Sequence, residues 1–396
     1  MNTKTKAVSS LDTIDVDVCV FGAGMVGAAS ACALAQQGLR IALIEPYLPK
    51  PFSSEQAPEL RVSALNRHSM NLLASLKALP YIEQMRFRSY DSLEVWEDSL
   101  SKTIFSAQDL GETQLGIFAE NRIIQLALLR SISASYGDNI QIVKDKAQKV
   151  DVTDASIELQ SGAKIQAKFL LGADGAQSQI RKAAGIGQTG WQYQQRANII
   201  CISMHQAIED TTWQQFTPTG PLALLPMHDN FASLVWYADD ESSAYIQSLD
   251  NEALKAAILE RFPSRLADFD IINKAGFGLT RMHANQYWRH KAVLAGDAAH
   301  TINPLAGQGV NLGFKDVSAL SDAVKEHGLH DLSGAFKMYE KQRRAQNLLM
   351  MSAMDALYVT FSNDIAPLKF ARNTALMLAQ RAGGLKNRAL KYAMGI

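Results

Sequence analysis

The sequence predicts an α/β fold in which a parallel sheet is interleaved with a mainly antiparallel sheet and followed by a helical C-terminal segment. Three observations predict it. A strand, an alanine-rich helix and a second strand fill 16–45, alternating strands fill much of 190–282, and helical periods dominate from 309 onward. A strand–helix–strand opening predicts parallel strands with helices on both faces, whereas alternation of polar and apolar residues is typical of antiparallel strands.

The composition excludes several classes of function. The 39 basic residues match the 39 acidic ones, so no net field attracts nucleic acid, and nucleic acid is not expected as a partner. Cys19, Cys32 and Cys201 are too few and too scattered for a disulfide framework or a metal site, which indicates a reducing compartment and no metal. No stretch reaches the ~18 apolar residues of a membrane span, so we expect a cytoplasmic protein that contacts a membrane at most on its surface.

The first glycine cluster, "GAGMVG" (22–27), follows a strand and opens a helix. Gly22, Gly24 and Gly27 have the spacing that lets backbone N–H groups and a helix N-terminus approach a pyrophosphate. Glu45 ends the next strand, where its carboxylate can accept the ribose hydroxyls of an adenosine. The cluster predicts a Rossmann-like dinucleotide site, although a helix that needs small residues for packing would show the same glycines.

The second cluster, "GDAAHTINPLAGQGVNLG" (296–313), indicates which cofactor is bound. Asp297 follows a strand, where it can hydrogen-bond a polyol, and a loop with Pro304, Gly307 and Gly309 leads into a helix that begins near Val310. Small residues leave room for a flat ring, and a helix N-terminus stabilises negative charge of the kind that a reduced flavin carries. The cluster predicts a flavin, and the alternative is a glycine-rich loop before an ordinary helix.

A third stretch, "GADGAQSQIR" (172–181), follows another buried strand and on its own would be read as a capped helix start. The three stretches together resemble, in order and position, the fingerprints of the flavoprotein aromatic hydroxylases of the p-hydroxybenzoate hydroxylase type. Within that family, "ELRVSALN" (59–66) and the ending "LKYAMGI" (390–396) resemble the ubiquinone-biosynthesis branch. The stretch "TTWQQFTPTGPLALLP" (211–226) is similar to members that hydroxylate 2-polyprenyl-3-methyl-6-methoxy-1,4-benzoquinol.

The resemblance implies an FAD-dependent monooxygenase. NAD(P)H would reduce the flavin, O2 would add to form a C4a-hydroperoxyflavin, and its terminal OH would pass to the ring of a polyprenylated methoxy-methyl-benzoquinol. No second G-x-G-x-x-G is present, so we expect NAD(P)H to bind only transiently, beside the flavin. Two alternatives stay open: a regulatory flavin-binding component of a biosynthetic complex, and a hydroxylase of a soluble phenol.

The resemblance also implies roles for single residues. Arg61 would lie near the flavin, Asp174 would serve both FAD and the nicotinamide, and Asn311 would border the ring together with Pro304, Gly307, Gly309 and Val310. Asn121 stands where relatives have a polar FAD contact, and Gln125, one turn later, is the substitute for it.

An apolar chamber is needed for a prenylated ring, and the antiparallel layer supplies residues for it. The predicted substrate contacts are Tyr193, Phe216, Leu224, Pro226 and Trp236. Aromatic residues in strands also pack as plain core, which is the competing interpretation. His300 lies close to Asp297 in the sequence and is a candidate general base, although it can equally make a local hydrogen bond.

The expected domain limits follow from these segments. The FAD-binding domain takes 1–80, 100–185 and 284–345, the substrate-binding domain takes 81–99 and 186–283, and the helical C-terminal region takes 346–396. Between 368 and 396 the chain carries six basic residues and no acidic one. This basic segment predicts contact with an anionic membrane, at the inner face of the cytoplasmic membrane. The alternatives are docking to another protein of a ubiquinone-biosynthesis complex and a solvated helix face.

Overall fold

The computed structural model describes residues 13–98, 101–302, 309–381 and 383–394. Its strands are β1 (Thr13–Asp15), β2 (Val18–Phe21), β3 (Ile41–Ile44), β4 (Val62–Asn66), β5 (Arg88–Tyr90), β6 (Ser92–Trp96), β7 (Thr103–Ser106), β8 (Gly116–Glu120), β9 (Ile140–Val143), β10 (Ala147–Asp151), β11 (Ser156–Leu159), β12 (Lys164–Gln166), β13 (Phe169–Gly172), β14 (Gln188–Met204), β15 (Thr211–Gln215), β16 (Leu222–Pro226), β17 (Phe231–Ala238), β18 (Phe269–Ala284), β19 (Trp288–Arg289), β20 (Ala292–Leu294) and β21 (His300–Thr301).

The helices alternate with these strands in the first half of the chain and dominate its end. They are α1 (Met25–Ala35), α2 (Arg67–Ser75), α3 (Leu79–Glu83), α4 (Asn121–Ser131), α5 (Gln179–Ala183), α6 (Asp240–Ser248), α7 (Asn251–Arg261), α8 (Gly309–His327), α9 (Leu332–Phe361), α10 (Ala366–Arg381) and α11 (Gly384–Met394). None of these helices is long and apolar enough to cross a bilayer.

A six-stranded sheet forms the centre of the first layer, in the order β19-β20-β13-β2-β3-β9. Strands β20, β13, β2, β3 and β9 run parallel to one another, and each is a short, fully or mostly buried apolar run. Helix α1 packs between α4 and α8 on this sheet. The predicted parallel sheet is confirmed, and its core holds the strands that precede all three glycine-containing loops.

An eight-stranded sheet forms the second layer, in the order β21-β18-β14-β17-β16-β15-β6-β7. Most of its pairs are antiparallel, as the alternation predicted, and β15 with β6 is a parallel exception. The sheet also takes in β7 and β21, which lie in segments expected to belong to the other domain. Two smaller sheets, β1-β12-β11-β10 and β4-β8-β5, complete the structure that positions the site.

Candidate active site

The three glycine-containing loops lie side by side at one edge of the six-stranded sheet. Gly172, at the end of β13, pairs with Phe21 at the end of β2 on one side and with Leu294 at the end of β20 on the other. The loops after these strands are the three stretches identified in the sequence. Carboxyl ends of neighbouring parallel strands form the crevice in which open α/β sheets bind ligands.

Glycine is required where these loops touch. A Cβ atom on Gly27 would lie 1.8 Å from the Gly22 carbonyl oxygen, and one on Gly22, whose φ is +90°, would lie 2.6 Å from the carbonyl oxygen of Ala173. In the second cluster, a Cβ on Gly313 would lie 2.5 Å from the Val26 side chain. The first loop and the helix it opens therefore pack directly against both other loops. Gly24, by contrast, faces open space.

The N-terminus of α1 is open for an anion. Gly24 is its N-cap, no side chain caps it, and its first turn carries no acidic residue. The loop before it is held rigid from two sides, because Glu45 accepts the Ala23 N–H at 2.9 Å and the Gln125 amide donates to the Ala23 carbonyl at 2.7 Å. Free N–H groups on a fixed helix start are the arrangement that binds a pyrophosphate.

A cleft of about 660 Å³ begins at this helix start. Gly24, Arg61, Asn121 and Gln125 line it among others, so the structure brings together four of the predicted cofactor residues. The Arg61 guanidinium lies over the Phe277 ring of β18, 5.1 Å from its centroid. The Asn121 side chain accepts a hydrogen bond from the Ser63 hydroxyl at 2.6 Å.

Sequence reasoning missed Arg122, a second cation that lines the same cleft. Its guanidinium lies 2.7 Å from the Glu59 carboxylate and donates to the Lys50 carbonyl and the Gln56 side chain. It therefore holds the segment around 50–59 beside the cleft. Its position next to Asn121 was the only indication in the sequence, and residue pattern alone does not show which of two neighbouring helix residues faces a ligand.

One carboxylate oxygen of Asp174 accepts the Gln179 N–H at the start of α5 at 2.6 Å, and Ser178 is the N-cap of that helix. Its other oxygen, Oδ1, is buried and has no partner among the described residues. A buried acceptor without a partner is costly, so this atom is suited to a donor on a bound molecule. Arg181 joins the same loop to the second cluster by donating to the Ala298 carbonyl at 2.8 Å.

Asp297 lies after β20, in a short helical turn that spans Gly296–Ala298. Its side chain keeps access to solvent, yet the surrounding protein desolvates the carboxyl and raises its pKa, while His300 and Arg61 act in the opposite direction. A carboxylate in this position can accept hydrogen bonds from a polyol.

His300 is buried and binds the carboxylate of Asp316, which is fully buried in α8. Asp316 also accepts the Gly296 N–H at 3.0 Å, the Arg343 Nε–H at 2.8 Å and an Asn347 N–H at 3.1 Å. Burial alone would raise the pKa of this carboxyl, but His300 and Arg343 lower it to about 2. The geometry favours the local hydrogen-bonding role of His300 over a general base.

Helix α8 begins at Gly309, and Val310 is buried in its first turn. The Asn311 side chain is fully engaged: it accepts hydrogen bonds from the Asn66 N–H and the Ser69 hydroxyl and donates to the Ala64 carbonyl. Asn311 thus fixes the helix start to β4 and α2. Pro304 and Gly307 lie outside the described residues.

Strand register divides the predicted substrate contacts between two faces of the eight-stranded sheet. Leu224 and Trp236 belong to the core between this sheet and helices α6 and α7, and Pro226 pairs with Ala232 of the same core. Alternate side chains of a strand point to opposite faces, so the register places these three predicted contacts on the face that packs against α6 and α7.

The opposite face carries Ala197, Tyr237 and Phe277, which are register partners on β14, β17 and β18. We call it the chamber face, because Phe277 contacts Arg61 of the cleft. Tyr193 packs in the apolar cluster of this face and donates a hydrogen bond to Asp355 of α9, while Phe216 stacks on Phe361 at the end of α9 with centroids 4.0 Å apart. Among the described residues no cluster could hold a metal ion.

Comparison with known proteins agrees with this geometry. The model of the family described as FAD binding domain matches residues 15–351. The chain is 42% identical to the 3-demethoxyubiquinol 3-hydroxylase of Escherichia coli, over 96% of this chain and 98% of the relative. It is 31% identical to the human mitochondrial ubiquinone biosynthesis monooxygenase COQ6, over 97% and 93% of the two chains.

Solved structures show the same fold at lower identity. PqsL, a probable FAD-dependent monooxygenase from Pseudomonas aeruginosa, superposes with a TM-score of 0.76 at 20% identity, over 91% of this chain and all of its own. The p-nitrophenol 4-monooxygenase PnpA from Pseudomonas putida gives the same TM-score at 18% identity, over 97% of each chain.

Proposed function

The chain belongs to the FAD binding domain family, among the flavin hydroxylases of ubiquinone biosynthesis, and we propose that it hydroxylates the ring of a polyprenylated methoxy-methyl-benzoquinol. It is an FAD-dependent monooxygenase that uses NAD(P)H and O2. The observation that carries the substrate proposal is the 42% identity with a 3-demethoxyubiquinol 3-hydroxylase over nearly the whole of both chains.

The residues present fit FAD. The open start of α1 with Gly22, Gly24 and Gly27 would hold the pyrophosphate, and Glu45, at the end of β3, would meet the ribose. Arg61, Asn121 and Gln125 line the cleft beyond it. The unpartnered Oδ1 of Asp174 and the carboxylate of Asp297 are further acceptors for cofactor hydroxyls or amides.

The start of α8 would lie beside the flavin ring. Gly309, Val310 and the loop with Pro304 and Gly307 would border it, while Asn311 holds the helix in place through its bonds to β4 and α2. When bound and reduced, the flavin supplies an activated oxygen atom for transfer to an electron-rich ring. The protein contributes orientation and the exclusion of water, since both decide whether the oxygen reaches the ring or is lost.

The substrate ring would lie between the cleft and the chamber face. Ile199, Val235 and Tyr237 form an apolar surface there, and Tyr193 closes one side of it with Tyr358 of α9. This surface is apolar, which suits a prenylated quinol, and the ion pair of Arg281 with Asp355 lies next to its Tyr193 hydroxyl. Phe216 lies farther out, where it would meet the prenyl tail rather than the ring.

The proposal is tested with the purified, FAD-loaded protein. NAD(P)H oxidation is followed with a short-tailed 3-methyl-6-methoxy-1,4-benzoquinol under 18O2, and the product is analysed by mass spectrometry. We expect one labelled oxygen atom in the ring. A flavin-loaded protein that hydroxylates only soluble phenols, or no ring at all, would reject the quinol in favour of the phenol hydroxylase or the regulatory flavin protein.

A polyprenylated quinol resides in lipid, so we propose that the enzyme works at the inner face of the cytoplasmic membrane. It would reach its substrate either by itself or within a complex of pathway enzymes. The C-terminal helices are the part of the chain that bears on this question.

A further inference from the structure

The C-terminal helices expose an unusual amount of apolar surface. Of the fourteen large apolar side chains that are exposed among the described residues, nine lie between Leu348 and Leu378. We call this surface the C-terminal apolar face; its most exposed members are Leu349, Val359, Ile365, Leu368, Phe370 and Leu378. Single exposed apolar residues are ordinary, but a concentrated group of this kind indicates an interaction surface.

Helix α10 buries polar side chains and exposes apolar ones, which is the reverse of the usual pattern in a soluble protein. It buries Arg372, whose guanidinium donates to the Glu97 carboxylate at 2.7 Å, and Asn373 donates to the same carboxylate at 3.0 Å. Its apolar side chains face outward, and Phe370 is 76% exposed. Polar contacts thus fix the helix to the protein, and its apolar side is left for something else.

The docking of these helices continues into α11, so the surface is a built part of the fold. The Thr103 hydroxyl donates to the Leu376 carbonyl at 2.8 Å, Lys386 lies 2.9 Å from the Asp109 carboxylate, and Leu390 packs in a small core with Leu115. The Arg372 and Lys386 charges, which the sequence offered to a membrane, are therefore used within the protein.

Charge beside the face favours an anionic partner. Arg388 and Lys391 are exposed on α11, and no ion pair forms with either among the described residues. From Ile365 to the end of the chain the sequence contains no acidic residue. The exposed Asp364 carboxylate, directly before Ile365, is paired with Lys369 at 2.9 Å. An apolar face whose unpaired charges are the cations of α11 matches a lipid surface with anionic headgroups.

The face also adjoins the route to the proposed substrate chamber. Leu357, Phe361, Phe216 and Pro221 line a gap of about 10 Å³, which a prenyl tail could enter only if the stacked Phe216 and Phe361 rings move apart. On the inner side of the gap, the Tyr358 ring contacts Tyr193 with centroids 4.9 Å apart. A prenyl tail that left the chamber face through this gap would emerge at the C-terminal apolar face.

We infer that the C-terminal apolar face seats on an anionic lipid bilayer, with the gap at Phe216 and Phe361 as the passage for the prenyl tail. The passage rests on the proposed function, whereas the seating rests only on the surface itself. Seating would place the gap at the hydrocarbon boundary, so the tail of a substrate would remain in lipid while its ring enters the protein.

The test is flotation of the full-length, FAD-loaded protein with phosphatidylcholine vesicles, with and without phosphatidylglycerol and free of quinol. The variant carries F370E and L378E. The matched control carries Y245E and L259E, which change exposed apolar residues of α6 and α7. We expect wild type and control to bind the anionic vesicles and F370E/L378E to lose at least about tenfold in binding. Unchanged melting temperature and flavin spectrum show that the variants are folded.

Two results would overturn the inference. One is equal vesicle binding by wild type and F370E/L378E, or no binding by either. The other is a wild-type dimer in light scattering that F370E/L378E converts to a monomer, because the occupant would then be a second copy. Hydroxylation of the short-tailed quinol in detergent-free buffer is measured in parallel. If neither wild type nor the variants hydroxylate it, the proposed function is rejected. If all of them do, the vesicle-binding result tests the membrane inference alone.

Discussion

Replacement of Asp316 by asparagine should destabilise the protein and weaken FAD binding together. Each carboxylate oxygen of Asp316 accepts two donors: Oδ2 accepts from Gly296 and His300, and Oδ1 accepts from Arg343 and Asn347. An asparagine amide would point one NH2 group at two of these donors. It would also leave the buried Arg343 guanidinium without its counter-ion, a change that costs about 3–5 kcal/mol in unfolding free energy.

The pKa of Asp316 gives an independent estimate of part of this effect. The folded-state pKa of about 2 lies below the ordinary value of 3.8. A lowered pKa contributes stability that is complete above the unfolded-state value and is lost as the pH falls toward the folded-state value. The contribution is about 2 kcal/mol, at 1.36 kcal/mol for each pKa unit, and it should disappear between about pH 4 and pH 2.

The assay is urea unfolding of wild type and D316N at pH 7, followed by FAD titration of each folded protein. The control is D364N, because Asp364 makes an exposed pair with Lys369, and such surface pairs contribute little to stability. D364N should match wild type in both measurements. If the unfolding free energy of D316N lies within about 1 kcal/mol of the wild-type value, or if D316N binds FAD as tightly as wild type, the Asp316 network does not hold the loop after β20 in place.

Three further predictions test the site, the chamber face and the buried histidine. G27A should abolish FAD binding, because its Cβ would overlap the Gly22 carbonyl, whereas G278A, with open space around it, should bind FAD normally in the same titration. V235A should raise KM for the quinol with little loss of stability. L234A, on the other face of β17, should lower the unfolding free energy by about 2–5 kcal/mol and leave KM unchanged. The reverse pattern would refute the assigned faces. Burial lowers the pKa of His283 to about 4, so the unfolding free energy of wild type should fall as the pH drops from about 6.5 to about 4. Urea unfolding across this range should show a weaker dependence on pH for H283Q. An equal dependence on pH in both proteins would contradict the prediction.

The site near the sheet edge could be predicted because its parts depend on local sequence. Strand, glycine loop and helix follow one another in the chain, and parallel strands bring their carboxyl ends to one edge whatever the loops contain. Gly22, Asp174 and Asp297 therefore lie on neighbouring loops, as the fingerprints implied. The Asp316 network was not predicted, since its donors come from residues 16 to 31 positions away on other elements.

The substrate contacts show where sequence reasoning fails in a sheet. Trp236 was named as an aromatic residue of the antiparallel layer, but its neighbours Val235 and Tyr237 are the ones that point to the chamber face. A shift of one residue reverses every side chain of a strand, and residue type alone does not fix which face meets the cofactor domain. Composition likewise does not show which charges of the basic C-terminal segment are free, because the fold buries Arg372 against Glu97.

Helix α9 links the Asp316 network, the eight-stranded sheet and the C-terminal apolar face. Arg343 and Asn347 bind Asp316 below the flavin loops, Asp355 accepts from Tyr193 and from Arg281 on the substrate sheet, and Val359 belongs to the C-terminal apolar face. At a rise of 1.5 Å per residue, Asn347 and Val359 lie about 18 Å apart along one helix. Since all three contacts belong to a single continuous helix, the distance from the C-terminal apolar face to the loop after β20 is fixed by the fold. If the C-terminal apolar face seats on lipid, as we infer, the fold therefore sets how far a ring must reach from the bilayer to the cleft.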